Sequence, residues 1–170
     1  MSAVHVIGHR AWMSARVVWD APFMVRFRGM VLALLGALLV VALVSWNPAD
    51  PSLNAASGRA PTNWLGANGA VFADILMQSL GLAAWPGVLM GIAFGLAIAI
   101  GDAIQHRVRP TALKIASALA GTLLVSAALS ALARPAAWPL ATGLGGLWGD
   151  AVTGLAVRGL TAVQIPGGAI

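Results

Sequence analysis

The chain has 170 residues, of which 59% are hydrophobic and 9% are charged. So few polar side chains cannot cover a soluble domain of this size, and the composition therefore predicts an integral membrane protein. The net charge of +5 could favour nucleic acid, but the basic residues lie beside the ends of apolar runs, where membrane orientation accounts for them. The absence of cysteine excludes disulfides and thiol catalysis.

Residues 1–28 are predicted to form a cytoplasmic or interfacial N-terminal segment. Four arginines precede the first apolar run: Arg10, Arg16, Arg26 and Arg28. The next arginine is Arg59, so the positive-inside rule places the N-terminus in the cytoplasm. His5 and His9 could share a helix face, but no third ligand is near them, and we expect no metal site.

The first predicted span covers residues 29–46 and is long enough, at about 27 Å, to cross the hydrocarbon core as an uncleaved signal anchor. A Pro-, Ser- and Asn-rich loop follows at 47–68 and is predicted to face outward. Trp46 and Trp64, at either end of this loop, have the amphipathic rings favoured at the membrane interface. The residues of this outward loop motif are Trp46, Asn47, Pro48, Asp50, Pro51 and Trp64.

Apolar character then persists from 69 to 101, which is too long for one perpendicular crossing. Gly81 and the Trp85-Pro86 pair supply a breakpoint. The pattern therefore predicts a half-polar interfacial or re-entrant segment at 69–80 and a true span at about 82–101.

A third span is predicted at about 112–133, followed by a second half-polar segment at 146–160. Gly146, Gly149 and Asp150 loosely repeat the pattern of Gly69 and Asp74, at an offset of roughly 75 to 80 residues.

Residues 166–170 would then begin a fourth span that is missing, or a linker. We favour a fragment of a longer protein, with a crossing by 143–163 as the alternative. The expected fold is an all-α integral membrane protein, with residues 29–165 forming a polytopic bundle of three to four transmembrane helices with interfacial or re-entrant segments.

Small residues recur at helical spacing in two of the predicted spans. Gly87, Gly91 and Gly95 share one helix face, and Ser117 and Gly121 are likewise four residues apart. Such stripes let another helix approach closely, so these five residues are candidate helix-packing positions.

Asp74 and Asp150 are the acids expected at membrane depth or at its interface. Neither has the chain of partners that a proton relay needs, which favours interfacial placement. The alternative is a small transporter-like or channel-like protein that uses both carboxylates at a midplane site.

No enzymatic chemistry is predicted from the motifs. The only lysine, Lys114, is followed by Ile115 rather than by the hydroxyl residue of a phosphate loop. No nucleophile motif is present either, so we predict no catalytic residue and no cofactor.

Three stretches carry a resemblance to a known family. They are Ser45-Trp46-Asn47-Pro48-Ala49-Asp50-Pro51-Ser52, Asn63-Trp64-Leu65-Gly66 and Ala73-Asp74-Ile75-Leu76-Met77-Gln78-Ser79-Leu80-Gly81-Leu82-Ala83-Ala84. In order and spacing they resemble the N-terminal four-span membrane domain of the FtsK/SpoIIIE DNA translocases.

The resemblance implies an anchor in the bacterial inner membrane, at the division septum, that oligomerises and tethers a cytoplasmic ATPase moving DNA. The implied partners are the lipid bilayer, further copies of the chain and membrane proteins of the division site. Nucleic acid would be contacted only through the motor domain, whose motifs this sequence lacks.

Overall fold

The computed structural model describes residues 19, 21–53, 58–101 and 112–162. These residues form helices and loops, without a strand among them. The helices are α1 (Pro22–Val44), α2 (Gly66–Leu80), a 3-10 turn (Gly81–Ala83), α3 (Ala84–Ile100), α4 (Ala112–Ser130) and α5 (Gly146–Ala162). The expectations for residues 1–18, which include His5 and His9, and for residues 166–170 lie outside the described residues.

Three helical runs are long and apolar enough to cross a membrane: Pro22–Val44, Gly66–Ile100 and Ala112–Ser130. The second run comprises α2, the 3-10 turn and α3 in succession. The predicted class, an all-helical integral membrane protein, is therefore confirmed. The 17 residues of α5 make a helix of about 25 Å, slightly shorter than the hydrocarbon core.

The chain divides into two compact units, and the first contains the described residues up to Gly36 together with those from Gly91 to Gly101. In this unit α1 and α3 cross with their backbones in contact. A Cβ atom placed on Gly95 would lie 2.5 Å from the Ala33 nitrogen and 2.8 Å from the Gly29 oxygen. One placed on Gly29 would lie 2.6 Å from the Ala99 nitrogen. Only glycine permits this approach, which is the packing that small-residue stripes provide in membranes.

The N-terminal end of α1 carries a basic and aromatic cluster within the same unit. The Arg28 guanidinium lies 4.2 Å from the centre of the Trp19 ring and donates a 2.8 Å hydrogen bond to the Trp19 carbonyl. The rings of Phe23 and Phe27 stack with their centres 6.4 Å apart. Aromatic rings beside arginine are typical of the membrane interface.

The second unit contains the described residues of 37–90 and 112–162. Here α5 packs along α4, and α2 packs against α5 and the 3-10 turn. Two glycines of this unit, Gly145 and Gly149, lie against the backbone carbonyl of Ser126, so that a Cβ atom on either would overlap the Ser126 oxygen.

The predicted helix-packing residues have different surroundings. Gly95 lies in the contact with α1, and a Cβ atom on Gly87 would lie 3.5 Å from the Thr122 methyl group on α4. Among the described residues, no neighbouring atom lies within 4 Å of a Cβ placed on Gly91 or Gly121. The Ser117 hydroxyl donates back to the Lys114 carbonyl of its own helix at 3.0 Å. Close packing at Gly91, Ser117 and Gly121 stays a prediction.

We expect Gly95→Leu to lower the free energy of unfolding by at least about 2 kcal/mol, because an overpacked side chain must push α1 and α3 apart. Gly91→Leu, the same change one turn earlier on α3, should leave the stability of the monomer nearly unchanged. Thermal unfolding of both variants in detergent micelles measures the difference. Equal losses in the two variants would contradict the packing described for α1 and α3.

Candidate functional site in the two interhelical loops

The loop between α1 and α2 is built around the carboxylate of Asp50, a residue that is only 5% exposed. One carboxylate oxygen accepts hydrogen bonds from the Thr62 backbone N–H at 2.9 Å and from the Thr62 hydroxyl at 2.8 Å. The other accepts the Asn63 backbone N–H at 3.0 Å. The carboxylate therefore joins the beginning of the loop to its end.

These contacts have opposing effects on the ionisation of Asp50. Burial of the carboxylate raises its pKa, but the donors from Thr62 and Asn63 together outweigh burial, so the pKa lies below its ordinary value. The loop is therefore built to hold an ionised Asp50, and protonation would weaken all three hydrogen bonds.

Asn63 fastens the same loop to the end of α1. Its side-chain amide donates to the Ala42 carbonyl at 2.8 Å and to the Ser45 carbonyl at 3.3 Å. Its side-chain oxygen accepts the Leu65 N–H at 3.1 Å, just before α2 begins. Because the last carbonyls of a helix lack partners within the helix, Asn63 both caps α1 and positions the start of α2.

The residues of the predicted outward loop motif have distinct places in this arrangement. Asn47 donates to the Thr62 hydroxyl at 3.1 Å and accepts the Ala49 N–H at 3.0 Å, forming a local turn. Pro48 is exposed and Pro51 is half-buried. Trp46 is half-buried, and its indole N–H has no partner among the described residues.

The Trp64 side chain is 72% exposed. Its backbone N–H donates to the Ser45 hydroxyl at 3.1 Å, which fixes the backbone while the ring points outward. An exposed, anchored indole suits the polar-to-apolar boundary of a membrane.

The loop between α4 and α5 is closed by Asp150. Its carboxylate accepts the Ser130 hydroxyl at 2.6 Å and the Gly143 backbone N–H at 2.8 Å. The buried Ser126 hydroxyl donates to the Gly145 carbonyl and lies 3.4 Å from the Leu80 carbonyl. Asp150 therefore connects α5 to the end of α4 and to the loop between them.

The two loops share a backbone pattern. Gly66 and Gly146, the first residues of α2 and α5, have φ angles of +66° and +67°. The N–H of each donates to the carbonyl three residues earlier, at 2.8 Å to Asn63 and 3.0 Å to Gly143. The N–H groups of Asn63 and Gly143 in turn each donate to a carboxylate. The equivalent residues are about 80 apart in the chain.

This pairing alters the repeat expected from the sequence. Gly66 rather than Gly69 corresponds to Gly146, and Gly69 corresponds to Gly149, so Asp74 and Asp150 are not equivalent. The counterpart of Asp150 is Asp50, because the two carboxylates accept the matching N–H groups of Gly143 and Asn63. Asp50 lies in the loop before α2, whereas Asp150 lies in α5 itself.

Asp74 lies on the buried face of α2 and accepts a 2.7 Å hydrogen bond from the Gln78 side-chain amide, one turn along the helix. This is a partner on its own helix. Asp150, by contrast, binds groups from α4 and the preceding loop.

The 3-10 turn connects α2 to the second loop. The Leu82 N–H donates to the Leu144 carbonyl at 2.8 Å. Gly81 has a φ of +57°, and a Cβ atom there would overlap the Leu144 oxygen. Glycine is therefore required at the corner where α2 ends.

Several structural residues were missed from the sequence. Thr62 and Asn63 lie at the end of the loop, just before α2, where a hydroxyl and an amide close to a helix start are a recognisable capping signal. Ser126 and Ser130 were also missed, and their hydroxyls bind the Gly145 carbonyl of the second loop and the Asp150 carboxylate of α5. Their spacing alone carried no sign of those acceptors.

The hydrogen bonds of the two loops hold the helices together. Within the ranges that the structure describes, no three metal-ligating side chains lie close enough to hold an ion. The carboxylates of Asp50 and Asp150 are occupied by backbone and hydroxyl donors. These loops fit structural connections at a membrane face.

The fold and the loops define a polytopic helical membrane domain. The model of the family described as the 4TM region of DNA translocase FtsK/SpoIIIE matches residues 23–165. The chain belongs to this family, and the resemblance found in the sequence is confirmed.

Relatives of the chain are named DNA translocase FtsK. The chain is 43% identical over 162 residues to a DNA translocase FtsK of Caulobacter vibrioides, a match that covers 94% of this chain and 19% of that protein. It is 43% identical to one of Rhizobium meliloti and 40% identical to one of Agrobacterium fabrum, each over 73% of this chain and 14% of the relative. The chain thus spans less than a fifth of these relatives' length. No solved structure matches it significantly.

Replacing Asp50 should expose the role of its charge. We expect Asp50→Ala to lower the free energy of unfolding at pH 7 by roughly 2–4 kcal/mol, because two backbone N–H groups lose a charged acceptor. Since the folded pKa of Asp50 is lowered, its stabilisation is complete above about pH 4 and is lost as the pH falls through the folded value.

Unfolding of the native chain and of Asp50→Asn from pH 7 to pH 2 measures this contribution. The isosteric variant should have lower stability at pH 7 and a flatter dependence below pH 4. Parallel curves for the two proteins would show that the Asp50 charge does not stabilise the loop.

Gly81 offers a second test, at the corner after α2. Gly81→Ala should lower the free energy of unfolding by about 2–3 kcal/mol, because the backbone there suits glycine and the new methyl group meets the Leu144 carbonyl. Gly154→Ala, in the open on α5, should be neutral or slightly stabilising. The result to look for in chemical unfolding is a loss at Gly81 alone.

Proposed function

We propose that this chain is the membrane anchor of a DNA translocase that acts in cell division and chromosome segregation. The observation that carries the proposal is the match of the 4TM region to residues 23–165, which includes every described helix except the first residue of α1. The relatives are at least five times longer than the matched region. The anchor would therefore hold a motor that lies elsewhere in such a protein.

A motor that handles DNA must lie in the cytoplasm, which constrains the topology. The basic N-terminal flank favours a cytoplasmic start, and an even number of crossings would return the chain to that side. We assign the fourth crossing to α5. It packs along α4 through the Asp150–Ser130 bond and the Thr153 hydroxyl, which donates to the Ala127 carbonyl at 3.0 Å.

Self-association would use the helix faces that the single chain leaves open. Gly91 and Gly121 have room beside them among the described residues, whereas Gly95 is already occupied by α1. Open glycine on a membrane helix favours close approach of a second helix. We propose that Gly91 and Gly121 contribute to contacts between copies.

The first loop is proposed as the surface for membrane proteins of the division site. Pro48 and Ala49 are exposed, and Leu53 is 76% exposed beside them. The Asp50 and Asn63 hydrogen bonds hold the two ends of the loop together, which lowers the entropic cost of binding a partner there.

The transporter-like alternative has less support. It requires Asp74 and Asp150 to act together at a water-filled site in the membrane midplane. Asp150 is engaged by Ser130 and Gly143, and these bonds give it a role in closing a loop.

The proposal can be tested by exchange with the Caulobacter vibrioides relative, whose matching region covers 94% of this chain. A chimera with this chain in place of that region, fused to a fluorescent protein, should concentrate at the septum and support division. An unrelated four-span domain in the same position is the control, and uniform membrane fluorescence of the chimera would refute the anchor proposal.

In the same chimera Gly91→Cys should crosslink copies more efficiently than Leu89→Cys on another face of α3.

A further inference from the structure

The two ends of α2 are both fastened close to the ends of membrane-spanning helices. At its start, Asn63 donates to the Ala42 carbonyl and the Trp64 N–H donates to the Ser45 hydroxyl, which ties the entry of α2 to the last turn of α1. Gly66, the first residue of α2, follows only two residues after Trp64.

At its other end α2 is tied to α4 and to the second loop. The Ser126 hydroxyl lies 3.4 Å from the Leu80 carbonyl, and the Leu82 N–H donates to the Leu144 carbonyl at 2.8 Å. Ser126 is four residues before the end of α4, so it lies about 6 Å from that end along the helix axis. The last residue of α2 is therefore at the depth of the final turn of α4.

The ends of α1 and α4 lie on the same face of the membrane. The chain crosses with α1, returns with the run that ends at Ile100 and crosses again with α4, so α1 and α4 run in the same direction. We call this face the loop side, because it carries both interhelical loops.

The length of α2 then decides its orientation. Its 15 residues extend over about 22 Å, so a helix descending from Gly66 would bring Leu80 well below the middle of the bilayer. Leu80 is instead within one turn of the loop side. The helix can satisfy both attachments only if it runs nearly parallel to the membrane plane.

The faces of α2 fit a lipid boundary better than water. The buried face consists of small residues, a methionine and one acid: Gly69, Ala70, Ala73, Asp74 and Met77. The exposed face carries Phe72 and Ile75, which are 58% and 41% exposed, and the exposed Trp64 ring precedes it. A helix whose acid points inward and whose aromatic side chains point outward is suited to the headgroup and acyl-chain boundary.

We propose that α2 lies flat in the membrane interface of the loop side, with Phe72, Ile75 and Trp64 in contact with phospholipid, and that α3 alone makes the second crossing. The 3-10 turn at Gly81 is then the corner between the two directions. The 17 apolar residues of α3 cover about 25 Å, which matches a crossing with slight thinning of the bilayer. This inference rests on the helical membrane fold and not on the proposed role in cell division.

The absence of native cysteine permits a direct depth measurement. Single-cysteine variants Leu65→Cys, Phe72→Cys and Ile75→Cys of the full chain are labelled with an environment-sensitive fluorophore and placed in vesicles of phosphatidylcholine and phosphatidylglycerol. Quenching by lipids with spin labels near the headgroup or deep in the acyl chain reports the depth of each label. Leu124→Cys and Leu119→Cys on exposed positions of α4 provide a shallow and a deep control.

We expect the labels at Leu65, Phe72 and Ile75 to have the same shallow depth, with headgroup-proximal quenching exceeding deep quenching at least twofold. The α4 controls should differ, since Leu119 lies about 7 Å deeper than Leu124. A depth that increases by about 15 Å from Leu65 to Ile75 would overturn the proposal in favour of a descending helix. Labels quenched by aqueous iodide and by no lipid would equally overturn it, because α2 would then face water.

Discussion

The ends of α1 and α4 leave backbone carbonyls that must find donors where the helices stop, and this requirement governs the structure of the second unit. Asn63 supplies a donor to the end of α1, and the Thr153 hydroxyl of α5 supplies one to the Ala127 carbonyl of α4. The Ser126 and Ser130 hydroxyls of α4 donate in the other direction, to acceptors close to the start of α5. Capping one helix therefore positions the next, and the path of the chain at this membrane face follows from hydrogen bonding.

Two carboxylates also position the helix starts by accepting backbone N–H groups. Asp50 and Asp150 each accept the N–H of the residue three before a positive-φ glycine, although one carboxylate comes from the loop and the other from the following helix. A charged acceptor strengthens such bonds where few waters compete. Both acids thus serve the architecture, and the similarity of the two loops lies in backbone geometry more than in residue identity.

Helix packing has a different physical basis in the first unit. Hydrophobic burial cannot drive α1 and α3 together within lipid, so the contact depends on close backbone approach at Gly29, Ala33 and Gly95. The exposed leucines of these helices face lipid chains, which are as apolar as the leucine side chains. On α2, likewise, the acid Asp74 is buried and the apolar Phe72 is exposed, which fits the proposed position of that helix among the lipid headgroups.

The amino-acid sequence by itself determined the membrane class, the helical content and the family, because hydrophobic runs of bilayer length and the motifs at Trp46 and Asn63 are local properties of the chain. It also indicated glycine as a packing residue. Which glycines pack was decided by the tertiary structure, since Gly91 and Gly95 share one helix face but only Gly95 meets α1. The partners of Asp50, Ser126 and Asp150 were likewise beyond local reasoning, because each bond joins residues at least seven positions apart. Periodicity identifies the face of a helix, but only the folded chain brings a distant donor to it.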